Sequence, residues 1–445
     1  MKDYYEVKTH IPCPGKSVSV TVPGSKSITN RALLLAAMSQ GDSVLEGCLT
    51  SDDARHFLEC LKLLGFEVSE ESDGTLGSNI RICGHGGAIP NKQAELYVGS
   101  AGTAARFLAA MLAFSDGEYV MNASEQMKRR PMEPLIQTLR EAGAEVRCTE
   151  REGHFPLFIR GTAGKCPDRL HVNIDQSSQF LSALLIAAGT LSCDVEIYVE
   201  GNHGLAYVDM TAQMMEDFGI KTEKMCRKDA NQETLCYSLR GTDRYIARSY
   251  PIEPDLSAAA YFYALAAVLG CSVEVRGVKE HMLQGDMAFL ELLCSMGCEL
   301  NRDGAKFLLT GPKVLRGGFT ADLSAFSDQA LTLAAIAPYA DGPIEIGGIG
   351  HIRLQECDRI HAICENLAHL GIQTEEGEDF VRIFPGELHG GEVETYEDHR
   401  VAMSFALTGL RCEGVIIRNP GCCSKTFAQY FDVLEGLLSD LDRKK

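Results

Sequence analysis

A repeat of about seventy-five residues constrains this chain more than any single motif. Five segments each read as an amphipathic helix that ends at a glycine and runs into alternating residues. The glycines are Gly65, Gly143, Gly219, Gly297 and Gly371, spaced 78, 76, 78 and 74 residues apart. Glycine supplies the positive φ that a helix end needs, and alternation behind it signals a strand. Six such periods would fill about 450 residues, against a chain of 445.

A second series runs in step with the first. Six Ser-, Gly- or Asp-rich openings each lead into an Ala/Leu-rich helix: 24–31, 99–106, 175–179, 253–257, 322–328 and 396–400. The stretches behind them, such as Ala32–Ala37, Phe107–Leu112 and Phe180–Ala188, are apolar nearly all round. A helix of that pattern is buried. Each unit therefore reads as strand, buried helix, strand, outer helix, strand, and six units suggest two α/β domains of three.

Composition limits the function. Lys plus Arg number 42 against 61 Asp plus Glu, a net charge of −19. That balance argues against a general nucleic-acid or membrane-surface binder, both of which want excess cations. It leaves room for an anionic small molecule if the basic residues converge. They do cluster by position: Lys26, Arg31, Arg106 and Arg400 sit at the openings, beside Ser25, Ser27, Thr103, Ser177 and Ser178. Helix N-termini favour anions, and Arg clamps carboxylate or phosphate bidentately. The run Lys128–Arg130, Arg359 and Lys425 add to this set. Asp328 opens one buried helix, and Glu356 stands three residues before Arg359, on one helix face if that segment is helical. Placed among cations, such carboxylates suit proton transfer.

Other signals are weaker. The 17 cysteines lack zinc-site spacing, and nearly all are expected to be small core or surface residues in a reducing compartment. Twelve His show no metal-ligand spacing, and His399 is the one placed near the site. Residues 1–10 lack a signal-peptide core, and no apolar run approaches the roughly 18 residues of a membrane span. Gly84–Gly87 fits a tight turn, with no phosphate-loop or dinucleotide fingerprint.

The motifs, taken in order, resemble the 5-enolpyruvylshikimate-3-phosphate synthase family. The residues that carry the likeness are Val22–Ala37, Ala101–Arg106, Arg130–Met132, Ser177–Leu185, Gln284–Asp286, Glu356–Ile360, Asp398–Met403 and Ser424–Phe427. The resemblance implies a two-domain enolpyruvyl transferase fold with three α/β units per domain. One domain would be discontinuous (1–22 plus 252–445), the other inserted (23–251), with the active site in the cleft between them. It implies transfer of enolpyruvyl from phosphoenolpyruvate to the 5-hydroxyl of shikimate 3-phosphate through a tetrahedral intermediate. No metal or organic cofactor is implied, and a monomer fits the two-lobed plan. By motif, Lys26, Gly102, Arg106, Gln179, Arg359, Arg400 and Lys425 would hold phosphoenolpyruvate. Lys26, Ser27, Arg31, Ser177, Ser178, Gln179, Tyr207, Asp328 and Gln355 would hold shikimate 3-phosphate. Asp328, with Lys26, would take the hydroxyl proton, and Glu356 would serve the methylene carbon.

Several positions depart from the family pattern. Gln355 stands for a Lys, His351 and Ser100 each for an Asn, Gly204 for a Ser, and Gln126 for an Arg that Lys128 is placed to replace. These departures motivate one alternative, a diverged anion-binding paralogue. The other alternative is the sister transferase acting on UDP-N-acetylglucosamine, but the matching stretch Met121–Met132 lacks that family's reactive Cys.

Overall fold

The computed structural model describes residues 3–167, 169–229, 232–303 and 306–443. The chain divides into two compact units: a continuous unit, Gly24–Ile252, and a split unit, Met1–Pro23 with Glu253–Lys445.

Each unit repeats one plan three times. Among the described residues there are six small sheets, five of four strands and one of three. In the second repeat, Gln93–Tyr97 pairs parallel with Glu118–Asn122, which pairs antiparallel with Leu157–Arg160, and that strand takes Glu145–Cys148 antiparallel at the edge. The plan thus has one strand more than the sequence pattern indicates. In the first five repeats the short edge hairpin behind the outer helix holds two strands, and one of them carries too few apolar residues to stand out.

Six buried helices line the interior of the two units: α1 Lys26–Met38, α2 Gly102–Ala113, α3 Gln179–Ala188, α4 Leu256–Leu269, α5 Ala330–Ile336 and α6 His399–Phe405. Every residue of α2, α4 and α5 is buried, as all-round apolar sequence requires. A Leu→Ala change in such a helix costs about 2–5 kcal/mol. The outer helices are amphipathic instead; Asp52–Leu63 buries Phe57, Leu58 and Leu61 and exposes its charged face. Gly65, Gly143, Gly219, Gly297 and Gly371 follow five of these outer helices with φ between +83° and +102°, a conformation that L side chains resist.

Two strands depart from strict sequential order. Ser17–Val20 precedes α1 yet pairs with Ser272–Val275 of the fourth repeat, while Ser249–Pro251 precedes α4 yet pairs with Gln40–Leu49 of the first. The leading strands of repeats one and four have exchanged. The N-terminal strand Tyr4–Glu6 completes the sixth sheet against Val415–Arg418.

Two of the cysteines are paired. Cys166 and Cys193 form a disulfide across a separation of 27 residues, on the loops that lead into neighbouring strands, and fifteen other cysteines are free. No helix among the described residues is long and apolar enough to cross a membrane.

Candidate active site

A common rule places the functional side chains in both units. The chain that approaches each outer helix reaches back to the opening of the buried helix of the same repeat, 26 to 31 residues earlier. In the first repeat, Asp53 meets Lys26 Nζ at 2.6 Å, and Asp53 is fully buried. In the second, Arg130 lies against Gly102: a Cβ there would stand 2.6 Å from the Arg130 guanidinium and 3.1 Å from that of Arg106. In the third, Gly204, at φ +62°, lies so near Ser178 that a Cβ would stand 2.7 Å from its Oγ. In the fourth, Asp286 accepts from Ser257 Oγ at 2.8 Å. In the fifth, Arg359 donates to Asp328 at 3.0 Å. The sixth breaks the rule, because Lys425 reaches Glu356 of the preceding repeat at 3.0 Å.

In the continuous unit, Arg31 is buried and, among the described residues, bonds neutral acceptors. Its Nε donates to Thr211 Oγ1 at 2.7 Å, and its Nη atoms reach the Ser27 carbonyl (3.0 Å), the Tyr207 carbonyl (3.1 Å) and Ser182 Oγ (3.4 Å). Its guanidinium also stands 5.4 Å from the Phe107 ring centroid. Burial pushes the Arg31 guanidinium down to about 10, with Tyr207 opposing. An incoming anion would supply the counter-charge that these neutral acceptors do not. Arg106 donates to Gln179 Oε1 at 2.6 Å, and Ser177 Oγ accepts from the Gln179 backbone N–H at 3.3 Å. Lys26, Ser27, Arg31, Gly102, Arg106, Ser177, Ser178, Gln179 and Tyr207 therefore all lie at or just behind the openings of α1–α3 or on the outer-helix turn above them.

The split unit brings its set together more tightly. Arg359, buried to 1 % exposure, donates to Asp398 Oδ2 at 2.7 Å, to Asp328 at 3.0 Å and to Glu356 at 3.0 Å, and also to the Gln355 side-chain oxygen. Burial works against its charge, yet Asp398, Glu356 and Asp328 outweigh it and hold the guanidinium well above its ordinary value. Arg400 pairs with the other oxygen of Asp328 at 2.8 Å. Burial would raise the Asp328 carboxyl, but Arg400 and Arg359 prevail and hold it below the usual carboxylate value. Asp398 reaches Arg359 because Tyr396 and Glu397 adopt left-handed φ of +52° and +57°, which turns its carboxylate inward, where it also caps α6 through the Arg400 N–H at 2.8 Å. His399 lies beside it, Nδ1 3.7 Å from Asp398. His351 bonds Ser327 Oγ at 2.7 Å.

One expectation needs correction. Glu356 and Arg359 do not share a helix face: the helix starts at Arg359, and Glu356 lies in the irregular link behind the turn Gly350–Leu354. They pair because the link folds back on the guanidinium. Lys128, placed to stand for the missing Arg at 126, pairs with Glu150 at 3.1 Å and Glu125 at 3.3 Å. The partners Asp53, Asp286 and Asp398 were absent from the candidate set, and Arg130 entered it only within the basic run Lys128–Arg130. The offset of 26 to 31 residues within the repeat was the signal that could have found Asp53 and Asp286 and singled out Arg130. Among the described residues no cluster of His, Cys, Asp and Glu could hold a metal ion.

Comparison with known proteins agrees with this geometry. The family model described as EPSP synthase (3-phosphoshikimate 1-carboxyvinyltransferase) matches residues 16–434. The chain is 42% identical over 426 residues to the 3-phosphoshikimate 1-carboxyvinyltransferase of Nostoc punctiforme, covering 95% of this chain and 97% of that one. It is 38% identical over 422 residues to the Aliivibrio fischeri protein of the same name, covering 94% and 96%. A solved EPSP synthase from Acinetobacter baumannii superposes with a TM-score of 0.80 at 25% identity over 98% of each chain. With a matching family model, relatives of this coverage and a shared two-domain enolpyruvyl transferase fold, the chain belongs to the EPSP synthase family.

Proposed function

We propose that the chain transfers the enolpyruvyl group of phosphoenolpyruvate to the 5-hydroxyl of shikimate 3-phosphate and releases phosphate, a step of aromatic amino-acid biosynthesis. The observation that carries this reading is the interlocked group around Arg359, in which Arg359, Arg400 and Lys425 alternate with Asp328, Glu356 and Asp398 within hydrogen-bond distance. Such a group offers cations for a phosphate and a carboxylate, and carboxylates for proton transfer, side by side.

Lys26, Gly102, Arg106, Gln179, Arg359, Arg400 and Lys425 serve phosphoenolpyruvate. Lys26, Ser27, Arg31, Ser177, Ser178, Gln179, Tyr207, Asp328 and Gln355 serve shikimate 3-phosphate. As the C–O bond forms, Asp328 takes the hydroxyl proton and Glu356 gives one to the methylene carbon. In the elimination that follows, Glu356 takes a proton back from the methyl group while the C–O bond to phosphate breaks. The anionic substrates compete for Arg400, Arg359 and Lys425, which weakens their hold on Asp328 and Glu356 and frees both carboxylates for proton transfer. Lys26, paired with Asp53 at 2.6 Å, works with Asp328 at the hydroxyl proton. The chain is further proposed to work as a cytoplasmic monomer, which size-exclusion chromatography and fractionation test.

The deciding assay follows phosphate release from phosphoenolpyruvate and shikimate 3-phosphate with purified protein. Release is expected. Release only with UDP-N-acetylglucosamine, or ligand binding without release, overturns the reading.

A further inference from the structure

We infer that Asp286 is a positioning residue, which holds Asp328 in place through the side chain of Gln329. The inference rests on the role proposed above for Asp328.

Asp286 stands at the N-terminus of the helix Met287–Ser295 but makes no side-chain bond to it, so capping does not account for this carboxylate. Instead it is buried, and one oxygen accepts two bonds at 2.8 Å each, from Ser257 Oγ on α4 and from Gln329 Nε2. A carboxylate removed from water is stable only with such donors. Gln329 is fully buried and follows Asp328 directly in the tight turn Ser327–Gln329. Its Oε1 accepts from Thr332 Oγ1 at 3.1 Å, and Thr332 touches Ser404 Oγ at 3.3 Å. Ser404 lies one turn beyond Arg400 on α6. A polar chain therefore runs from Asp286 across α4, α5 and α6. It fixes the backbone that carries both members of the 2.8 Å Asp328–Arg400 pair. Burial raises the Asp286 carboxyl above its ordinary value, and the nearby Asp328 adds to this, so the carboxylate is retained against a penalty. Misplacing a reacting group by about 1 Å costs up to roughly 100-fold in rate.

The test compares Asp286→Ala, Asp286→Asn and Gln329→Met in the full chain. Asp286→Ala and Gln329→Met are expected to lower kcat by about 10- to 100-fold with KM for phosphoenolpyruvate little changed. Asp286→Asn retains the accepting oxygen and is expected to stay near wild type. The double variant Asp286→Ala with Gln329→Met is expected to be no worse than the first alone. A folded Asp286→Ala or Gln329→Met enzyme with wild-type kcat overturns the inference, as does an Asp286→Asn variant as impaired as Asp286→Ala. Should Asp286→Ala not fold, Gln329→Met and Asp286→Asn decide. Should the wild type itself show no turnover, the proposed function fails, and amide hydrogen exchange at Ser327–Gln329 decides the positioning separately. Faster exchange there in Gln329→Met but not in Asp286→Asn supports it; equal exchange in all forms overturns it.

Discussion

The two units hold their buried arginines Arg31 and Arg359 in opposite ways. In the continuous unit, Arg31 is buried among a hydroxyl pair and two carbonyls, with no carboxylate among its partners. In the split unit, Arg359 has three carboxylates on its five donors. The first arrangement leaves positive charge uncompensated, so a bound anion completes it. The second is already neutralised, so an anion has to displace a carboxylate. On the proposed function, the difference separates two tasks: binding an anion by default, and coupling anion binding to the release of a proton-transfer group.

Removing the proton-transfer group itself has the largest expected effect. Glu356→Gln should lower kcat by about 10²- to 10⁴-fold while binding of both substrates persists; phosphate-release kinetics showing near wild-type turnover would remove Glu356 from the chemistry. Stability should then distinguish the two arginines. Arg359→Met leaves buried carboxylates without their cation and is expected to cost about 3–5 kcal/mol. Arg31→Met, which removes a cation with neutral partners, should leave the denaturation midpoint nearly unchanged while weakening shikimate 3-phosphate by about 1.5–3 kcal/mol. Equal destabilisation in the two variants would erase the contrast.

Acid titration supplies a smaller effect with a definite sign. Asp328 is depressed by Arg400 and Arg359 against the effect of burial, so its ionised form is favoured in the folded chain. Its stabilisation is complete above the unfolded value of about 3.9 and disappears as pH falls through the lower folded value. Wild type should exceed Asp328→Asn by about 1.5–3 kcal/mol near neutrality, with the gap closing only below about pH 4. A gap that closes between pH 5 and 7 would contradict the assigned direction. Gln355→Lys is the mildest case. It removes the amide oxygen that accepts from Arg359 and places a second cation beside it, so a change of only a few-fold in shikimate 3-phosphate affinity is expected, measured by calorimetry.

Much of the fold was legible because its rules are local. A helix end demands positive φ within one residue, and Gly65, Gly143, Gly219, Gly297 and Gly371 answer that demand. All-round apolar sequence marks burial, and α2 and α4 bear it out. The strand exchange of Ser17–Val20 and Ser249–Pro251 was hidden, because four residues of alternation fit either partner sheet equally well. The site shows the same division. Lys26, Arg106 and Arg400 announce themselves by standing at helix openings in an acidic chain. Asp53, Asp286 and Asp398 do not, since one carboxylate among 61 acidic residues gains meaning only from the side chain it meets across the fold. The Cys166–Cys193 bond was invisible for the same reason.

The central claim is that substrate anions draw Arg359, Arg400 and Lys425 away from Asp328 and Glu356, and this predicts proton uptake on binding. The direct measurement is calorimetric titration of phosphoenolpyruvate into the shikimate 3-phosphate complex in buffers of different ionisation enthalpy. The account predicts net proton uptake near neutral pH in the wild type and a smaller uptake in Glu356→Gln. A wild type that takes up no protons, or one indistinguishable from Glu356→Gln, would contradict it.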